Sequence, residues 1–148
     1  MERGKQLIWS LLAIGMLILA AGCGGGEPET NTSGLKMASM ADMPAEVQTA
    51  PVTVQQAYQF NVANPDIMTH IPCYCGCGAM GHKSNYDCYV AGKNEDGSIK
   101  YDTHALGCSI CVDITQDTMR LLKEGKTVEQ IKAYVDQTYA QYGPSNMP

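Results

Sequence analysis

Apolar residues fall into one early block and several later periodic stripes. The block runs from Leu7 to Ala21, interrupted only by Ser10 and Gly15, and closes on the small residues Ala20-Ala21-Gly22 before Cys23. With Arg3 and Lys5 ahead of it, this is the charged, apolar, small-residue order of a secretory signal. It is short for a membrane span, which takes about 20 apolar residues. Further on, Val54, Ala57, Tyr58 and Asn61-Val62 keep a rough 3.6-residue face and predict a helix over Val52–Asn61. Asn64-Pro65 reads as a helix restart, with Asn64 as cap and Pro65 at the first helical position. A turn or two over Asp66–His70 follows, and Pro72 ends it. Ile114, Met119, Leu121 and Leu122 predict a helix over Asp113–Glu124 with Gly125 as its stop. Thr127-Val128-Glu129-Gln130 fits a capping box. The helix it opens carries Val128, Ile131, Val135, Thr138 and Tyr142 on one face and ends at Gly143-Pro144. These last two helices form an antiparallel hairpin across Gly125-Lys126. Tyr89-Val90 and Ile99-Lys100-Tyr101, flanking Asn94-Glu95-Asp96-Gly97, predict a short β-hairpin. The expected fold is mainly α: one small domain, residues 52–148, around an irregular cysteine-rich loop.

Between the early block and this domain the chain reads as a tether. Gly24-Gly25-Gly26 and the polar run Glu27-Pro28-Glu29-Thr30-Asn31-Thr32-Ser33-Gly34 form a flexible composition that cannot bury enough apolar surface to fold. The expected organisation is therefore a signal peptide at 1–22, a tether at 23–51 and a domain at 52–148. Met37, Met40 and Met43 recur at three-residue spacing. Thioethers are soft ligands that suit Cu(I), yet methionine is also an adaptable apolar residue, and the plainer reading is linker or a nascent helix face. The junction at Cys23 resembles the lipobox of bacterial lipoproteins, departing from it at Ala20, where leucine is usual. On that resemblance Cys23 carries a diacylglycerol and an N-terminal acyl group. Two or more chains give stable anchoring, at about 0.8 kcal/mol per buried methylene. The expected location is the extracytoplasmic face of the cell membrane, where disulfides are allowed. The alternative is an ordinary cleaved signal with an incidental cysteine.

The formal charge is −5, and the leader holds Arg3 and Lys5 against Glu2, so the remainder is more acidic still. An acidic chain without basic clusters is a poor nucleic-acid binder. It is not drawn to anionic lipid either, which leaves membrane attachment to Cys23. The chain has no glycine loop for phosphate and no G-x-S-x-G elbow. A core of this size is thin, and disulfides or a metal would supplement it.

The candidate chemistry lies in sulfur. Six of the seven cysteines, Cys73, Cys75, Cys77, Cys88, Cys108 and Cys111, fall within one short stretch, with His70, His82 and His104 close in sequence. The run Cys73-Tyr74-Cys75-Gly76-Cys77 puts three sulfurs on alternate residues. Its small neighbours let backbone N–H groups approach thiolates, which need such donors. Cys108-Ser109-Ile110-Cys111 has the spacing of two thiolates on one ion, and Cys111 falls near the start of a helix, whose N–H groups favour negative sulfur. Zinc would use four ligands, whereas six thiolates could bridge several Cu(I) ions. Iron–sulfur spacing is not matched. Val112 stands where a c-type haem site needs histidine.

Metal capture, with Cu(I) ahead of zinc and a metal donor or acceptor protein as partner, is the first reading. Three structural disulfides are the second, at home in a small exported domain but crowded, because the three clustered sulfurs would all draw partners to one spot. Thiol–disulfide exchange at Cys108/Cys111 is the third, without the βαβ context that usually frames it. No catalytic set is evident. Each histidine taken singly is more ordinarily a surface or hydrogen-bonded residue than a ligand, with His70 the best placed in sequence.

Pro72-Cys73-Tyr74-Cys75-Gly76-Cys77, Gly81-His82, Asp87-Cys88-Tyr89-Val90, and His104-Ala105 ahead of Cys108-Ser109-Ile110-Cys111 together resemble the PCYCGC-motif bacterial lipoproteins over about Val52–Pro148. The resemblance implies a bacterial source, mostly of the spore-former type, and a lipid anchor. It implies almost nothing about activity.

Overall fold

The computed structural model describes residues 34–147. The apolar block, Cys23 and the tether up to residue 33 lie outside the described residues. In chain order the described elements are α1 (Ala45–Gln48), α2 (Val52–Ala63), α3 (Pro65–Met68), β1 (Val90–Lys93), β2 (Ile99–Tyr101), α4 (Ser109–Lys123) and α5 (Val128–Tyr139). Single 3-10 turns stand at Met40–Asp42, Cys77–Met80, Tyr86–Cys88, His104–Leu106 and Ala140–Tyr142. The mainly helical fold with one short hairpin is as the apolar pattern predicts.

Helix α4 is the centre of the packing, with α2 on one side and α5 on the other. It buries Ile114, Thr115, Thr118, Met119 and Leu121, more than one stripe, because it has two helical neighbours. Helix α5 has one, and offers Ile131, Val135 and Tyr139 at four-residue steps. Its start is the expected capping box: Gln130 N donates to Thr127 Oγ1 at 3.3 Å and Thr127 N donates to Gln130 Oε1 at 3.0 Å. Its end differs from expectation. The chain tightens into a 3-10 turn at Ala140, so Tyr142 leaves the helix and is exposed, and Tyr139 takes the buried place. Asn64 is the N-cap residue of α3 with Pro65 at its start, as expected, but its side chain does different work. It gives α3 no side-chain cap; its amide instead donates to Phe60 O at 2.7 Å and Lys36 O at 2.9 Å. The hairpin is antiparallel, pairing Val90 with Tyr101, Gly92 with Lys100 and Lys93 with Ile99, with an irregularity between Val90 and Gly92.

The tether expectation fails for residues 34–51. Met43 and Val47 are core residues, and Leu35, Met37, Ala38 and Met40 pack against the core. Backbone and side chain tie this segment to α2: Ala38 N donates to Gln59 O at 3.0 Å and Gln59 Nε2 donates to Ala38 O at 2.8 Å. The domain boundary therefore lies upstream of Val52, and the three methionines serve as apolar packing. Met43→Ala is expected to destabilise the protein by about 2 kcal/mol or more, as for other buried methionines, read from urea denaturation. A free linker would tolerate the change within about 0.5 kcal/mol.

Among the described residues no helix is long and apolar enough to cross a membrane.

Candidate metal centre

Four separate stretches deliver the ligand atoms, three of them sulfur and one an imidazole. The first is the loop after α3. Ile71, Cys73 and Cys77 are buried and Cys75 is half-buried, with Gly76 between them at φ +84°. Only glycine takes that backbone without strain, and it reverses the chain so that successive cysteines diverge to different neighbours. The second is the 3-10 turn Tyr86–Cys88, which buries Cys88. The third is the turn His104–Leu106, fixed by His104 N donating to Asp102 Oδ1 at 2.7 Å. The fourth is the start of α4, where Cys108 is the extended N-cap residue and Cys111 lies in the first turn. The helix thus begins at Ser109, ahead of the expected Asp113.

The six described cysteines are free thiols, and they converge. Cys75, Cys108, Cys111 and His104 form one group and Cys73, Cys77 and Cys88 a second; within each, one ligand atom per residue lies within 4.8 Å of the others. Cys111 Sγ is 3.3 Å from Cys108 Sγ and 3.6 Å from Cys75 Sγ. Cys75 Sγ is 3.3 Å from His104 Nε2. Cys88 Sγ is 3.7 Å from Cys77 Sγ. The groups touch, because Cys73 Sγ lies 3.4 Å from both Cys111 Sγ and Cys75 Sγ. A disulfide needs about 2.05 Å. Four sulfurs about 2.3 Å from a tetrahedral ion stand about 3.8 Å apart, close to the spacings here.

Electrostatics follow from the crowding. Hydrogen bonds from the Cys111 and Cys88 thiols hold Cys73 well below the ordinary thiol range. Burial, then the Cys73 charge, pushes the Cys75 and Cys77 thiols up. Cys111 is raised by its hydrogen bonds to Cys73 and Cys88 and by burial. Without a cation the cluster thus concentrates negative charge on Cys73 and keeps its neighbours protonated.

The floor of the site is a buried polar network. Tyr89 Oη donates to Cys111 O at 2.9 Å and Asn85 Nδ2 donates to the same oxygen at 3.2 Å. Thr115 Oγ1 donates to Asn85 Oδ1 at 2.9 Å and accepts from Asn61 Nδ2 at 3.1 Å. Buried groups paired in this way resist displacement, and they fix the first turn of α4.

One residue absent from the sequence reading clamps the loop. Asn146 accepts at Oδ1 from Cys73 N at 2.7 Å and donates its own N–H to Cys73 O at 3.0 Å. Its Nδ2 donates to Ser84 O at 3.0 Å and lies 3.5 Å from Cys77 Sγ. The tail reaches this place because Gly143 crosses the loop closely, where an added Cβ would stand 3.0 Å from Tyr74 O. An asparagine in a Pro-containing tail carries no sequence signal of such a contact. Asn146→Ala is expected to lower metal affinity about 10- to 100-fold, the range for outer-shell groups, with the thiol count unchanged. Competition against a chromogenic chelator checks it.

Of the three histidines, the structure brings only His104 into a ligand group. His82 adjoins it, with ring centroids 5.3 Å apart and His82 Nε2 3.6 Å from Asp102 Oδ2. His70 is exposed and outside both groups, beside Val128, Glu129 and Lys132.

Fold and site together define a small helical, cysteine-rich domain whose clustered thiols and imidazole could hold a metal ion. The chain belongs to the family described as "Protein of unknown function with PCYCGC motif", which it matches over residues 16–148. No curated protein and no solved structure matches it.

Proposed function

We propose that this protein captures a soft metal ion, Cu(I) ahead of zinc, at the outer face of the cell membrane, and buffers it, senses it or hands it to a partner protein. One observation carries the reading: six free thiols and an imidazole meet at contacts of 3.3–3.7 Å. Soft donors in such number suit Cu(I), which takes few ligands and shares thiolates. Cys111, in contact with Cys73, Cys75 and Cys108, is placed to be shared. Zinc would be served by Cys75, Cys108, Cys111 and His104 alone, a Cys₃His set, and would leave the buried trio of Cys73, Cys77 and Cys88 unused.

Anchoring through a lipidated Cys23 is part of the same proposal. The family match starts at residue 16, upstream of the Ala20-Ala21-Gly22-Cys23 junction, which supports it. Nucleic acid is no part of it.

A second reading rests on a separate observation. Cys108 caps a helix, half-exposed, with Cys111 at 3.3 Å, an arrangement that also serves thiol–disulfide exchange. Native and denatured mass spectrometry of anaerobically purified protein separates the two. Bound metal with six free thiols supports capture. A single bridge that cycles with mild reductant and no metal supports exchange. A mass deficit of six hydrogens without metal means a stapled module and ends both.

Because Cys75 and Cys77 are held protonated by burial and by Cys73, loading must release protons. Affinity is therefore expected to fall as pH falls. Titration in weak buffer, with acid release scaling with bound metal, checks the sign.

A further inference from the structure

We infer that Met80 and His82 form an outer binding site for a soft monovalent cation, Cu(I) or its redox-inert analogue Ag(I), on the way to the cysteine cluster. The inference rests on the cluster being a metal receiver. Its observations lie outside the two ligand groups.

Among the described residues Met80 is the most exposed of the large apolar side chains, at 58 %. It ends the 3-10 turn Cys77–Met80, held between Gly76 at φ +84° and Gly81 at φ +94°. Residues three apart on such a turn line up along one edge, so the thioether of Met80 shares an edge with the buried Cys77. Two left-handed glycines fix that projection, since a side chain at either position would be strained.

His82 is the second ligand. Its side chain is only 12 % exposed, and its Nδ1 is shut off from water with no hydrogen-bond partner. A buried ring nitrogen left unpaired is unfavourable, and a cation bound at Nδ1 relieves it. Met80 and His82 line the same open cavity of about 420 Å³, together with Asp87 and Asp102. A thioether and an imidazole are both fit donors for Cu(I), and the two carboxylates outweigh the one ammonium, Lys83, on the same wall.

The site also leads somewhere. The His82 ring meets the His104 ring edge-on at 5.3 Å, and His104 Nε2 is 3.3 Å from Cys75 Sγ. A cation bound outside is therefore one imidazole away from the first thiol. Four of the six cysteines, Cys73, Cys77, Cys88 and Cys111, are buried, so a weaker accessible pair answers how the ion reaches them. No redox state changes: the cation passes between neutral donors as far as His104, and each protonated cysteine that then takes it up gives its thiol proton to solvent.

The test is an anaerobic titration of silver nitrate into full-length protein with carbon-13-labelled methionine methyls, the Met80 signal being identified from Met80→Leu. The Met80 methyl is expected to shift as silver is added, and His82→Asn to abolish that shift. Met80→Leu, a change at an exposed side chain, is expected to lose the outer silver equivalent and to load the cysteine cluster more slowly than the parent. That rate stands as a separate readout should His82→Asn fail to fold. Silver that blocks thiol alkylation while leaving the Met80 methyl unmoved, or parent-like loading by Met80→Leu, overturns the outer site and leaves the cluster standing. Silver that leaves thiol alkylation unchanged removes the receiver itself, and this site with it.

Discussion

Loading the protein with Cu(I) is expected to raise its melting temperature by about 10–25 °C. A ligand held by the folded state alone stabilises it by about 4 kcal/mol at a thousand times its dissociation constant. A domain of this size gains a few degrees per kcal/mol. The fold explains why the effect should be large. Between α3 and α4 there is little regular structure: a hairpin pairing Val90–Lys93 with Ile99–Tyr101, and three single 3-10 turns. The cation would cross-link exactly these parts, the Cys73–Cys77 loop, the Cys88 turn and the His104 turn, to the start of α4. Circular dichroism melts with and without a Cu(I) chelator measure it. An unchanged melting temperature in protein that retains the ion would mean the cluster is already rigid and gains nothing from its cargo.

Cys111→Ser is expected to reduce metal affinity by more than about 100-fold, beyond the range for outer-shell changes. Serine keeps the size and the hydrogen-bonding capacity but replaces a soft donor with a hard one. Cys111 touches a sulfur of the buried trio at 3.4 Å and two of the other group at 3.3 and 3.6 Å, so its loss affects both. Cys77→Ser, within one group, should leave Cys75, His104, Cys108 and Cys111 able to bind, with a smaller stoichiometry. Equal losses in the two variants, measured by competition and by metal content, would contradict the shared role. A folded far-ultraviolet spectrum for each apo variant completes the comparison.

The helices were legible because their physics is periodic. Apolar steps in 109–123 and 128–139, a capping box at Thr127 and a glycine at 125 each mark something local. The start of α4 was not, since Cys108 lacks the Ser, Thr, Asp or Asn side chain that announces a cap, and the helix runs back to Ser109 through the cysteine motif. Residues 34–51 were misread for a different reason. Of Leu35, Met37, Met40, Met43 and Val47, only Met40 and Val47 lie in regular elements, a 3-10 turn and a four-residue helix, too short for a period to show, behind a glycine-rich polar run. They fold because α2 offers them a surface, which is tertiary information. The cysteines stood out by number alone. Their division into two touching groups did not, because it depends on the left-handed Gly76 and on where α4 begins. The same holds for His104 over His70. Sequence proximity favoured the residue beside the loop, while the chain turns His70 outward and carries His104 to Cys75.

The hydrogen bond from Tyr89 to the Cys111 carbonyl gives the protein a built-in optical reporter. Tyr89 lies edge-on to Tyr58 at 4.9 Å, and the sole tryptophan of the chain, Trp9, lies in the early apolar block. In protein prepared from Cys23 onward, emission excited in the near ultraviolet comes from the tyrosines alone, and the part lost in Tyr89→Phe reads a change at the neighbouring sulfur without a dye.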